Sequence, residues 1–185
     1  MKKTSFQIEL ILTIFVITVF ISKNLSAQIE SDQDKNIFRD FKTEHMWVAK
    51  VKVGKIIKIG ESKHGTRRVI PIIGGTFEGP KIKGEVLPGG EDWQLVRPDG
   101  DMEFDARYLL KTDDGVVIQV INKVLMHMPK PGDQAQPYVG SIIDLEAPID
   151  SPYDYLNHAI YIGTFEMLMT PDEEPAVVIG IYKLL

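Results

Sequence analysis

The sequence predicts an all-β protein, an antiparallel barrel of about eight to nine strands with one short helical turn. Three observations carry that expectation. From Met46 onward, apolar and polar residues alternate with a period of two. Clusters of Gly, Pro and Asp interrupt the alternation at short intervals. Beyond the first 27 residues, no apolar pattern of helical period exceeds two turns. Closure is favoured over an open sandwich because the strands are long and a closed sheet leaves no edge exposed.

The chain opens with a segment that does not belong to the barrel. Lys2 and Lys3 form a positive start, Leu10 to Ile21 is an apolar run, and Leu25-Ser26-Ala27 places a small residue at a cleavage position. This is the pattern of a secretory signal peptide over residues 1–27, cleaved after Ala27. The apolar run of about 12 residues is short of the ~20 that a spanning helix needs, so no stable membrane anchor is expected after cleavage. The expected location is therefore periplasmic or secreted. Residues 28–44 are polar with Ile37, Phe38 and Phe41 as apolar points, and read as a tether or a short helix. Residues 45–185 are expected to form the single barrel domain.

The strands follow in order. Met46 to Val53 alternates, and Gly54 marks a bend before Ile56, Ile57 and Ile59. Arg67 to Ile73 is a strand with Pro71 inside it, which predicts an edge, a bulge or a strand end there. Gly74-Gly75, Gly79-Pro80, Gly84 and Pro88-Gly89-Gly90 separate short apolar pieces, as in strands that bend sharply or pass closely. Asp92 to Arg97 is the next strand, and Pro98-Asp99-Gly100 turns it into Asp101 to Thr112. Asp113-Asp114-Gly115 then leads to Val116 to Met126. If Thr112 pairs with Val116 across a loop with its glycine left-handed, the apolar even positions of both strands share one face. Asp105 then stands opposite Lys123. A proline-rich loop, Met128 to Gln134, precedes a strand from Tyr138 to Glu146. Ser151-Pro152-Tyr153-Asp154 predicts a helical turn with a serine cap. Asn157 to Met169 and Ala176 to Leu185 are the last two strands, joined by a turn over 170–175.

These residues also carry a resemblance. The chain resembles the uncharacterised family known as domain of unknown function 3237 (DUF3237, UPF0311-type). The match rests on Arg67-Arg68, Ile70-Pro71-Ile72, Gly74-Gly75-Thr76-Phe77-Glu78-Gly79-Pro80, Gly84, Val86-Leu87-Pro88-Gly89-Gly90 and Asp92-Trp93-Gln94. Asp105-Ala106-Arg107-Tyr108, Thr112-Asp113-Asp114-Gly115, Asn122 and Leu156-Asn157 extend it, from about Val48 to the C-terminus. The resemblance implies a calycin-like (lipocalin-like) barrel, often associated into oligomers, and no settled activity. The chain departs from the pattern in its signal segment, where many relatives look cytoplasmic, and in lacking the glycine common just after Asn122.

Composition excludes several functions. The chain has no cysteine, which removes disulfides, thiolate metal sites and cysteine nucleophiles. A formal charge of −5, which becomes −7 without Lys2, Lys3, Lys23 and Glu9, gives no basic face for nucleic acid. His45, His64, His127 and His158 form no His-x-His or His-Glu-x-x-His pair, so no metal site is expected. The glycine-rich stretch lacks the Gly-Lys-Ser/Thr ending of a phosphate loop, and no Gly-x-Ser-x-Gly elbow is present, so no cofactor or hydrolase triad is expected.

The remaining candidates lie between Asp92 and Asn122. Trp93 offers a broad apolar wall, and Asp92 beside it a hydrogen-bonding group or base. Arg107 can hold a carboxylate or enolate bidentately with Asp105 orienting it, and Tyr108 can donate to an oxyanion. The competing account puts Asp105 and Arg107 on a solvated face, paired with Lys123 and each other. It leaves Tyr108 and Asn122 as polar tips on an apolar inner face, the usual form of a ligand pocket. The expected function is binding of a small, largely apolar ligand in the lumen, lined by Trp93, Tyr108, Asn122 and Arg107. One alternative is a cofactor-independent isomerase, cyclase or lyase, with Asp92, Asp105, Arg107 and Tyr108 as candidate catalytic groups. A further alternative is a ligand-free homo-oligomer covering Val117, Ile121 and Leu125 on the outer face.

Overall fold

The computed structural model describes residues 41–130, 132–168 and 175–185. The expected signal peptide and most of the tether lie outside the described residues, as does most of the turn over 170–175. Lys42–Leu185 form one compact unit. Its described residues form ten strands: β1 (Thr43–Val53), β2 (Ile57–Ser62), β3 (Gly65–Glu78), β4 (Lys83–Val86), β5 (Gly90–Val96), β6 (Met102–Thr112), β7 (Val117–His127), β8 (Tyr138–Glu146), β9 (Tyr161–Leu168) and β10 (Ala176–Leu184).

Every pairing is antiparallel, and the sheet closes on itself. The order runs β1-β10-β9-β8-β7-β6, then β4 and β5 end to end, then β3, which pairs back with β1. Counting β4 and β5 as one, the ring has eight positions. β3 is its hub. On one edge its first half pairs with β2 and its second with β1; on the other edge the first half pairs with β5 and the second with β4.

That arrangement explains Pro71. It sits in β3 past the last β2 pair at Val69 and before the first β1 pair at Ile72, where a missing N–H breaks no ladder. Its carbonyl oxygen accepts from the Gly54 N–H at 2.8 Å, which fixes the expected bend between β1 and β2. Gly74 and Gly75 do not end the strand, as punctuation alone would have them do. They lie inside β3, and Gly75 has φ +141° where β3 crosses β1; a Cβ there would stand 2.1 Å from the Lys50 carbonyl oxygen.

The β6–β7 hairpin has the expected register. Asp105 pairs with Lys123, Thr112 N–H donates to the Val116 carbonyl at 2.9 Å, and Gly115 has φ +90°. Two expectations shift. The helical turn is a 3-10 helix over Asp154–His158, and Ser151 does not cap it. The Ser151 Oγ instead accepts from Tyr153 N–H and donates to the Pro148 carbonyl. Because that helix uses Asn157 and His158, β9 starts at Tyr161 rather than Asn157. β1 likewise begins at Thr43, inside the stretch expected to be tether.

The core fills the end of the barrel nearest the β6–β7 turn. Leu156 from the 3-10 helix is buried there among Leu110, Ile118, Leu145 and Trp47. Asn157 fastens the helix to the chain just after β8, accepting from Ala147 N–H at 2.8 Å and donating to its carbonyl at 2.9 Å. The Trp47 and Phe77 rings meet edge-on with centroids 6.1 Å apart.

Candidate functional site

Away from the Leu156 end the lumen is incompletely filled. A cavity of about 30 Å³ is lined by Ile72, Asp92, Phe104, Tyr108, Asn122 and Phe165, with aliphatic residues of β1, β7 and β10 completing the wall. It has room for about one water molecule. Strand alternation determines which side chains reach it. Asp92 and Gln94 on β5 pair with Ala106 and Phe104 on β6, and these share the inner face with Tyr108.

Asp92 is held from one side only. Arg68 Nε donates to Gln94 Oε1 at 2.6 Å, so the Gln94 amide must present its nitrogen to Asp92. Gln94 Nε2 then donates to Asp92 Oδ2 at 2.5 Å. The other oxygen, Oδ1, is buried without a partner. Burial raises the carboxyl's pKa above its ordinary value; the Gln94 hydrogen bond and the Arg68 charge pull the other way, and Asp105 adds to the rise. A buried carboxyl oxygen with no donor costs free energy unless it carries a proton or meets a ligand's donor.

Tyr108 is buried, and desolvation pushes its hydroxyl well above the usual tyrosine range. Asn122 is 1% exposed, and its Oδ1 accepts from Ser141 Oγ at 2.7 Å. Tyr161, 1% exposed in the core, also has an unpartnered buried hydroxyl, pushed up to about 12 chiefly by burial.

Three of the sequence candidates lie elsewhere. Trp93 faces outward, 44% exposed, with its Nε1 donating to Glu91 Oε2 at 3.1 Å. Asp105 is its register partner and also faces outward; its Oδ1 lies 3.1 Å from Arg107 Nε in an exposed ion pair. Trp93 and Arg107 therefore do not line the lumen, because residues 93, 105 and 107 fall on the opposite face from 92, 106 and 108. Trp93 instead borders an open outer groove of about 770 Å³ with Arg67, Arg97, Lys123, Tyr138 and Ile142. Arg107 borders a smaller outer groove of about 260 Å³ beside Leu109 and Ile121.

The lumen thus keeps Asp92, Tyr108 and Asn122 from the candidates. It adds Gln94, Arg68 and Ser141, which the sequence reading did not single out. For Gln94 and Arg68 a signal existed. Gln94 is two residues from Asp92, hence on the same strand face, and Arg68 faces Gln94 across the β3–β5 ladder. For Ser141 none did, because a lone serine in an apolar strand does not reveal its partner. Among the described residues, no three His, Asp or Glu side chains converge as metal ligands would.

Comparison with known proteins bears on family and fold. A family model described as protein of unknown function (DUF3237) matches residues 41–184. A UPF0311 protein from Rhodopseudomonas palustris is 41% identical over 80 residues, which are 43% of this chain and 52% of the relative. The match thus spans about half the length of that curated relative. A β-barrel-like protein from Acinetobacter baumannii superposes with a TM-score of 0.69 at 32% identity, covering 80% of this chain and 98% of that one. An enzyme from Penicillium herquei superposes with a TM-score of 0.60 at 21% identity, over 80% and 97% of the two chains, and shows likeness of fold alone.

Proposed function

Because the chain belongs to the DUF3237 family, whose description assigns no activity, we propose its function from the lumen: an exported barrel that binds a small, largely apolar ligand there. The observation that carries this reading is Asp92 Oδ1, a buried carboxyl oxygen without a partner in a largely apolar cavity. A ligand hydroxyl or N–H would satisfy it. Tyr108 and Asn122 supply the other polar points, and the aliphatic wall supplies contact area. The cavity of about 30 Å³ accommodates an organic molecule only once a side chain turns aside. Phe104 and Phe165 are the candidates for that movement, with ring centroids 5.9 Å apart.

Native mass spectrometry of the purified protein tests the reading, with a neutral fluorescent apolar probe as the second measurement. A retained small molecule, or saturable probe binding, is expected in the wild type and lost in Ala106→Phe, which fills the lumen. If neither ligand nor probe binds, or if Ala106→Phe leaves binding intact, the lumen is not the site.

A second reading is favoured by one feature. Asp92 and Tyr108 both line the cavity, so a bound carbonyl compound would meet a base and a proton donor together. In that cofactor-independent isomerase, cyclase or lyase, Asp92 takes a proton next to the carbonyl and Tyr108 donates to the developing oxyanion. In deuterated water, wild-type protein would then exchange a hydrogen of its retained ligand for deuterium. Asp92→Asn would bind the same ligand without exchange. Equal exchange in both proteins, or none in the wild type, would exclude this reading.

A further inference from the structure

The ring of strands has one loose member. β2 pairs with the first half of β3 and, among the described residues, with no other strand, so among those residues its second edge is open. Open edges bring unpaired N–H and C=O groups to the surface and are usually blunted. This one is apolar as well. Ile57 is 53% exposed, Ile59 55% and Ile56, just ahead of the strand, 47%. Ile73, 43% exposed, continues the patch beside Gly54.

The charges on β2 have an order. Lys58 pairs with Arg68 on β3 and Glu61 with Thr66, so both side chains lie on the same face of the hairpin. A bulge at Ile59 separates them. Glu61 accepts from its own Thr66 hydroxyl, and Lys58 has no ion pair in its own chain among the described residues.

We infer that the β2 edge receives a second copy of this chain, the two β2 strands pairing antiparallel about a two-fold axis between Ile59 and Gly60. That register sets Lys58 opposite Glu61 of the partner subunit, twice over by symmetry. It also sets Ile59 opposite Gly60 of the partner subunit. Nothing lies within 4 Å of where a Gly60 Cβ would stand, so the isoleucine has space. A shift by one residue would put Lys58 opposite Gly60 of the partner subunit, without its ion pair. Two-fold pairing uses up both open edges, so assembly stops at two copies. The inference rests on the outside of the barrel and is independent of any ligand in the lumen.

Sedimentation or light scattering of the purified protein tests it with two charge variants. Wild type is expected to be a dimer. Lys58→Glu places like charges opposite each other and should raise the dimer dissociation constant about thirtyfold. Lys58→Glu combined with Glu61→Lys restores opposite charges and should restore the dimer. Circular dichroism of each variant checks that the barrel is folded. A monomeric wild type, a dimer indifferent to Lys58→Glu, or a double reversal that stays monomeric would each overturn the inference. Pairing with a strand of a different protein would appear as a monomer here and counts against it.

Discussion

Ser141 donates a hydrogen bond of 2.7 Å to Asn122 across the β7–β8 ladder, and both side chains are buried in the barrel wall. Each satisfies a group that water cannot reach. Ser141→Ala should therefore destabilise the protein by about 1–3 kcal/mol, the cost of an orphaned buried acceptor. Adding Asn122→Leu removes the acceptor too, and the double variant should lose less than the sum of the two single losses. Urea unfolding midpoints of the four proteins check this, and strict additivity would show that the pair is not coupled.

Gly75 and Gly115 both have positive φ, but only one is crowded. At Gly115 nothing lies within 4 Å of a Cβ, so Gly115→Ala meets backbone strain alone, about 1 kcal/mol. At Gly75 the new Cβ would also collide with the Lys50 carbonyl, where β3 meets β1 and the barrel closes. Gly75→Ala should cost about 3 kcal/mol or more, or prevent folding. Chemical denaturation of the two variants side by side separates strain from collision.

Asp92 sets a pH dependence of definite sign. Its pKa is raised in the folded state, mainly by burial, so folding favours its protonated form. The associated stability is present at acid pH, below the unfolded pKa, and is lost as pH rises through the raised folded value. Asp92→Asn is neutral throughout. It should have a higher Tm than wild type near neutral pH, with the advantage shrinking as pH falls into the ordinary carboxylate range. Scanning calorimetry across that range decides it; a lower Tm for the variant at neutral pH would mean that the ionised carboxylate is favoured in the fold.

Trp93 and Ala106 lie on opposite sides of the same wall. Trp93→Phe changes only the outer surface and should leave lumen binding of the neutral probe within about twofold. Ala106→Phe occupies the lumen and should abolish that binding. Probe titration of both variants checks the contrast, and a large loss in Trp93→Phe would move the site to the outer groove.

Much of the barrel was legible because alternation and turn chemistry agreed. The β6–β7 register followed from keeping the even positions together and from Gly115 in a left-handed turn. On β5 the alternation misleads. Its inward residues include Asp92 and Gln94, while its outward face carries Trp93 and Leu95. Val69, on that same outer face, is buried between its register partners Ile57 and Trp93. Hydrophobicity alone therefore favours the wrong face of β5. Adjacent candidates such as Asp92 and Trp93 could not both have pointed inward, and that exclusion was available from strand geometry. Where β9 begins was not available, because Asn157 is as polar in a strand as in the short helix that claims it.

The ladder between β1 and β10 joins Thr43 to Leu184. β1, the first described strand, therefore waits for β10 before its second edge is covered. During synthesis the growing chain has no closed state available until β10 is made, and at about 5–20 residues per second the stretch from Thr43 to Leu184 takes about 7–28 s. A polypeptide that cannot close before β10 is made keeps an unpaired β1 edge through most of its synthesis, and that edge is where a holding chaperone or a second nascent chain would act.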